Sequence, residues 1–219
     1  MIRFLFFLWL IACSFQGQAQ FEPKIYTGAK PVYDKGFESN LYGGFEVGIE
    51  VFRFKFIAPE VGINYYSGQP NEFERLNFES SPPLATARYD GRFNSLNFSV
   101  APKFIFGNEE AALVLLPEYN LGSIKASERF FRRNANQYDL TEEVSERTSH
   151  SFWTFSAGVE GDFFGLDRIK FSFLITYSTL DTKKAFEDLQ FSETKYNYKE
   201  GSADGLGLTF RAYFDIFKN

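Results

Sequence analysis

Apolar and polar residues alternate with period two along several stretches of this chain, which is the signature of strands with one face in an apolar environment. The pattern predicts strands over 42–53, 56–67, 92–105, 111–124, 149–164 and 168–180, with a last one through Leu206, Leu208, Phe210, Ala212, Phe214 and Ile216. The connections between them come in two lengths. Tight turns are expected near 53–55, 106–110 and 164–167, and long loops at 68–91, 125–148 and 181–203. Such a rhythm is what a bilayer-spanning barrel requires, because its turns stay short on one side while its loops grow on the other.

Seven strands do not close such a barrel with both chain ends on the side of the short turns, so parity asks for an eighth before residue 42. Residues 21–30 supply the only candidate, a weak one, since Pro23 and Gly28 both disfavour a central strand. The expected fold is therefore all-β: an eight-stranded antiparallel up-and-down transmembrane β-barrel, with short periplasmic turns, long extracellular loops and both termini periplasmic.

Alternation alone does not say which face meets lipid. A periplasmic lipocalin-like barrel that binds a hydrophobic ligand has the same period with the opposite sense. Three features favour lipid outside. The polar face is rich in small residues, among them Gly44, Gly48, Gly62, Ser99, Ser156 and Gly158. It also carries charges able to pair inside: Glu46, Glu50, Glu60, Glu118, Glu160 and Asp162 against Lys103, Lys170 and Arg211. Rings gather at the strand ends beside the short turns, from Phe52, Phe54 and Phe56 to Phe163 and Phe164. An eight-stranded interior is just wide enough for side chains, so these charges predict a plugged polar core rather than a pore.

Composition agrees. The chain has 29 Phe and 12 Tyr, more rings than a soluble core of this size needs and in keeping with two aromatic girdles. Its net charge is −5, without the basic stripe that nucleic acid demands. The first residues read as a leader: Arg3, an apolar run from Phe4 to Ala12, then small and polar residues, with cleavage expected after Ala19. Residues 1–19 are thus a signal peptide and 20–219 the barrel domain. Leu10-Ile11-Ala12-Cys13 offers a second processing route, in which Cys13 is lipidated. Cys13 is the sole cysteine, so no internal disulfide forms.

Several segments, Gly43-Gly44-Phe45-Glu46-Val47-Gly48, Ala58-Pro59-Glu60-Val61-Gly62-Ile63-Asn64-Tyr65-Tyr66, Ala101-Pro102-Lys103 and Gly205-Leu206-Gly207-Leu208, resemble the PorT-like outer-membrane β-barrel family of Gram-negative bacteria. In architecture this family is similar to the small barrels of outer-membrane protein A. The resemblance implies a fold and an outer-membrane location and carries no catalytic residues across. The aromatic ending Phe214 to Phe217 resembles the signal that the barrel-assembly machinery reads during biogenesis, although two residues follow it.

Little chemistry is encoded. One histidine, His150, and no cysteine beyond the leader exclude a zinc site of ordinary composition, and no cofactor is expected. His150 is expected at a strand's outer edge, where lipid A deacylases place a His, Ser, Glu set. Their pattern needs a serine two residues on, and this chain has Phe152. Glu46 and Glu50 are about 13 Å apart on one strand face, too far for a glycosidase pair. Function is then expected in the loops. Arg129, Arg132 and Arg133 around Phe130-Phe131 are candidates for lipopolysaccharide phosphates. Phe191, Tyr196 and Tyr198 suggest a projecting hairpin that recruits an extracellular or envelope protein partner by strand addition. The leading reading is a non-enzymatic envelope scaffold or surface interaction protein. The alternatives are a lipid-modifying hydrolase and the periplasmic binder.

Overall fold

The computed structural model describes residues 22–216 apart from 80, 109, 136, 167, 188 and 193–202. The leader, Cys13, the final residues of the aromatic ending, Tyr196 and Tyr198 lie outside the described residues.

Ten strands form one antiparallel sheet: β1 (Lys24–Ala29), β2 (Val32–Tyr33), β3 (Leu41–Glu50), β4 (Ile57–Gly68), β5 (Phe73–Asn77), β6 (Leu84–Gly107), β7 (Ala111–Asn134), β8 (Gln137–Gly161), β9 (Ile169–Ser178) and β10 (Gly205–Asp215). One short helix, α1 (Thr182–Glu187), lies between β9 and β10. β1 and β2 are one stave interrupted at Pro31, which cannot donate to the ladder. That stave pairs with β3 on one side and β10 on the other. The order then runs β3-β4-β6-β7-β8-β9-β10, so the sheet closes on itself with eight staves and β5 lies off the ring, paired to β6. The stave expected over 21–30 is thus present, and it seals the barrel.

The outer surface is apolar. Phe45, Leu96, Leu121 and Ile175 are each more than half exposed, whereas Glu46, Ser95, Asn97, Asn120 and Thr176 beside them are buried and polar. On β7 the outward apolar row runs from Leu113 to Leu121. That is about 27 Å along the strand, or about 20 Å in height at the usual tilt, close to the apolar band of a transmembrane barrel. Rings border both edges. Tyr65, Trp153 and Tyr177 are exposed at one, with Tyr119 5.1 Å from Trp153. At the other, Phe56 stacks on Phe106 at 6.1 Å, and Phe164 meets Phe171 edge-on at 4.9 Å. Among the described residues no helix is long and apolar enough to cross a membrane.

Two of the expected long loops are corrected. Residues 84–91 belong to β6, 125–134 to β7 and 137–148 to β8, so three strands run on past the apolar belt as one continuous sheet. The physical reason is a change of face. Within the belt the outward residues are apolar (Leu96, Phe98) and the inward ones polar (Ser95, Asn97). Beyond it the inward residues turn apolar (Phe93, Tyr89, Ala87) and the outward ones charged (Arg92, Asp90, Arg88). The strand continues without a break while its apolar parity inverts, which a period count reads as an end.

Glycine lets the interior fill. A Cβ on Gly48 would run into the Tyr26 hydroxyl and the Val61 carbonyl oxygen, and one on Gly62 into the same hydroxyl. Gly48→Val is therefore expected to block barrel closure. The check is loss of the heat-dependent mobility shift in SDS electrophoresis, with Gly43→Val, where nothing lies within 4 Å of an added Cβ, keeping the shift.

Candidate functional site

Inside the belt the inward rows of β1, β3, β4, β6, β7, β8 and β10 bring together a charge network. Arg211 from β10 is at its centre. Its Nε and Nη2 donate to Glu46 at 2.5 and 2.6 Å, Nη1 donates to Glu60 at 2.6 Å, and Nη2 also reaches Glu118 at 3.1 Å. A planar guanidinium with a fixed fork of donors suits this set of carboxylates. Lys103 makes a second centre, 2.6 Å from Glu160, 2.7 Å from Glu50 and 3.4 Å from Glu60, with its ammonium over the Tyr213 ring. Lys30, just after β1, bridges Glu46 at 2.8 Å and Glu118 at 2.9 Å. Neutral donors complete the set: the Tyr213 hydroxyl to Glu60, Asn64 and Asn120 to Glu118, and Ser172 to Glu160.

Of the interior residues named from the sequence, Glu46, Glu50, Glu60, Lys103, Glu118, Glu160 and Arg211 are all buried in this cluster. Lys170 is on the inward row of β9 but half-buried at the tight-turn end, and Asp162 is corrected: it lies just past β8, exposed in the turn, where it accepts from the Leu166 N–H at 3.0 Å. Lys30 is the participant that sequence reasoning missed. It stands beside Pro31 at the break of the weakest stave, where the period gives no face. The arrangement fills this part of the barrel with charged and polar side chains at hydrogen-bond distance.

Towards the long-strand end the filling changes to rings. Phe37, Tyr42, Tyr66, Phe93, Ile124, Phe152, Leu180, Phe186 and Leu189 form one apolar cluster, and Tyr89, Phe130 and Phe191 a second beyond it. Phe186 and Leu189 belong to a strap, residues 179–192, that crosses the mouth of the barrel. Its helix α1 starts at Asp181, whose carboxylate accepts from the Lys184 N–H at 2.9 Å, an N-cap. At the far end of the strap the Ser192 N–H and hydroxyl both donate to Glu142 of β8 at 2.8 Å.

Under the strap lies Glu128 of β7, buried, with neither carboxylate oxygen hydrogen-bonded. It sits opposite Gly91 of β6 and Val144 of β8, between the two aromatic clusters, and the Phe186 ring packs over Gly91. It is seven residues past Leu121, beyond the apolar belt. Burial alone pushes its carboxyl up to about 8 from the ordinary 4.5.

His150 is corrected: its ring points into the barrel, not to the outer rim. Nε2 lies 3.0 Å from the Ser95 hydroxyl and 2.7 Å from Asn97 Oδ1, and the ring packs on Phe152. The Ser95–His150 pair is shut beneath the aromatic cluster with Ser95 fully buried, and no carboxylate orients the imidazole among the described residues. It is built as a core polar pair, not as a nucleophile and base facing a substrate. Among the described residues no three His, Cys, Asp or Glu side chains are placed to hold a metal.

The arginines named from the sequence stand on the extended part of β7. Arg129 pairs with Asp90 on β6 and lies over the Phe131 ring. Arg133 donates to the Ala135 and Ala85 carbonyl oxygens at 3.0 and 3.3 Å, and Arg132 is exposed. Arg129 is eight residues past Leu121, about 27 Å along the strand and about 19 Å above the belt. That is higher than a headgroup layer of about 5 to 8 Å.

No family model and no curated protein matches the chain. Solved structures similar to it are the attachment invasion locus protein Ail of Yersinia pestis (14% identity over 89% of this chain and 95% of that one, TM-score 0.37) and Neisserial surface protein A (9%, 90% and 99%, TM-score 0.41). The N-terminal β-barrel domain of Pseudomonas aeruginosa OprF is a third (13%, 90% and 100%, TM-score 0.34). At these values the likeness carries no functional argument, and the barrel stands on its own strand pairing. The class that the closed ring, apolar exterior and filled polar interior define is a small eight-stave β-barrel built for a membrane.

Proposed function

We propose that this chain is a non-enzymatic outer-membrane barrel that serves as an envelope scaffold and surface interaction protein. One observation carries the reading: β6, β7 and β8 continue past the apolar belt as a charged sheet, one edge of which has no partner strand among the described residues. β8 pairs with β9 only from Thr154 to Gly161, and over Gln137–Phe152 its second edge has no partner strand among the described residues. An open edge with alternating side-chain positions is a template for strand addition by a protein partner.

The orientation follows the same logic. We read both termini as periplasmic and the sheet as lying at the cell surface; the support is that the tight turns share one end with the start of β1 and the end of β10, where Lys24 is 3.5 Å from Asp215. The motifs at Gly43–Gly48 and Ala58–Tyr66 support the narrower PorT-like assignment, and with it delivery by the barrel-assembly machinery.

The test replaces residues 127–145 by a two-residue Asn-Gly turn and compares cells displaying either form for adhesion and for envelope proteins recovered by crosslinking. The shortened form is expected to keep its heat-dependent mobility shift and to lose adhesion and crosslinked partners. Undiminished adhesion and crosslinking would sink the reading.

A further inference from the structure

Just above the belt, the outward face of the β6-β7-β8 sheet carries a row unlike its surroundings. Lys125 of β7 is directly opposite Arg147 of β8, and Arg92 of β6 is diagonal to Lys125, since Asn94 pairs with Lys125 and Arg92 with Ser127. All three cations are exposed. Directly opposed side chains lie about 5 Å apart at Cβ, where like charges destabilise a sheet. The residues around Lys125 and Arg147 on that face are Asn94, Ser123, Ser127, Ser145 and Ser149, all neutral hydrogen-bonding groups. The nearest acids are engaged elsewhere or set to one side. Asp90 pairs with Arg129 one row up, where Glu143 also stands opposite Arg129. Gln69 stands between Glu38 and Arg92, 3.2 Å from Glu38 and 3.1 Å from Arg92 Nε, and satisfies both when its amide nitrogen faces Glu38 and its oxygen Arg92. Asn94 and Arg92 also line a cavity of about 470 Å³ shared with Ser67, Gly68 and Glu38.

Height selects the ligand. Lys125 is four residues beyond Leu121, about 14 Å along the strand and about 10 Å in height. A long cationic side chain bending back towards the belt reaches the headgroup layer, which Arg129 overshoots. We infer that Lys125 and Arg147, flanked by Arg92 and a ring of hydroxyl and amide groups, bind the phosphate of an outer-leaflet phosphorylated glycolipid. This rests on the reading that the belt lies in the outer membrane, and it moves the lipid contact from Arg129, Arg132 and Arg133 to a row nearer the bilayer. A headgroup phosphate supplies the countercharge that the strands do not.

The test uses the full mature barrel in detergent, titrated with mixed micelles of a bisphosphorylated glycolipid or its dephosphorylated counterpart. Emission of Trp153, the one tryptophan beyond the leader, reports binding. Each surface cation contributes about fivefold to attraction by an anionic lipid. The wild type should favour the phosphorylated lipid about thirtyfold, and K125S/R147S should lose that preference while keeping its heat-dependent mobility shift. If the double variant fails to fold, Lys125→Gln and Arg147→Gln singly should each cost about fivefold. Equal binding of the two lipids, or an unchanged preference in the variants, overturns the inference. Displacement by millimolar inorganic phosphate overturns it as well, by making the row a free-anion site. The barrel with 127–145 replaced keeps both cations and should keep its lipid preference, so failure here is separable from failure of the partner-binding reading.

Discussion

Arg211→Met is expected to prevent recovery of a folded barrel. The guanidinium is the shared partner of Glu46, Glu60 and Glu118, all buried beneath the belt. Removing it leaves three carboxylates facing one another with Lys30 and Lys103 as the remaining cations of the cluster. Breaking a buried pair by deleting one partner costs about 3 to 5 kcal/mol, because the other charge stays desolvated. Here three partners are stranded, so the upper part of that range is expected. In refolding from urea into detergent, the heat-shifted band should vanish or its midpoint should fall steeply. Arg211→Lys should rescue only part of the loss, since an ammonium cannot serve Glu46 through two parallel donors. Glu118→Gln should be far milder, because Arg211 keeps Glu46 and Glu60 and Asn120 can still donate to an amide oxygen. A fully stable Arg211→Met barrel would mean that the network merely fills space.

The network explains why so much of the fold was legible. Within the belt β3 alternates between an apolar exterior and a polar interior, so Phe45, Val47 and Ile49 separate cleanly from Glu46 and Glu50, and period two finds both faces. Above the belt, water replaces lipid outside and rings replace carboxylates inside. Phe93, Ile124 and Val144 then fall on the opposite parity to Phe98, Leu121 and Phe155. A reader following one face sees a loop where the chain is a strand. The same inversion hid the strap and Glu128, since neither Phe186 nor a lone glutamate announces its place until the strands beneath it are known to continue. The expectation for His150 fails for a related reason. A strand edge would put it at the outer rim, whereas its parity with Phe152 turns it inward onto Ser95 and Asn97.

Docking of the strap is expected to weaken as pH rises from about 4.5 to about 8 and to change little beyond. Glu128 is buried when residues 179–192 close over it and has an ordinary carboxyl when they lift, so the closed state holds the proton more tightly. A group whose pKa is raised in the closed state stabilises that state fully below the open-state value and ceases to do so as pH climbs through the closed-state one. The difference, 4.5 against about 8, corresponds to at most about 5 kcal/mol across the window. The groups around Glu128 set no opposing trend. From β8 its own face carries Glu142, held by Ser192, and Glu146, and β6 presents Gly91 and the Tyr89 ring. On α1, Lys183 pairs with Glu187 on the exposed side and Lys184 is exposed. Hydrogen exchange of the 180–192 amides, read at matched intrinsic rates, should show protection at pH 5 that falls markedly by pH 8. Glu128→Gln, neutral at every pH, should hold its protection flat across the range and exceed the wild type at pH 8. Wild-type protection that does not depend on pH would show that the strap stays shut over an ionised carboxylate, and the aromatic packing of Phe186, Leu189 and Phe191 would then be the stronger force.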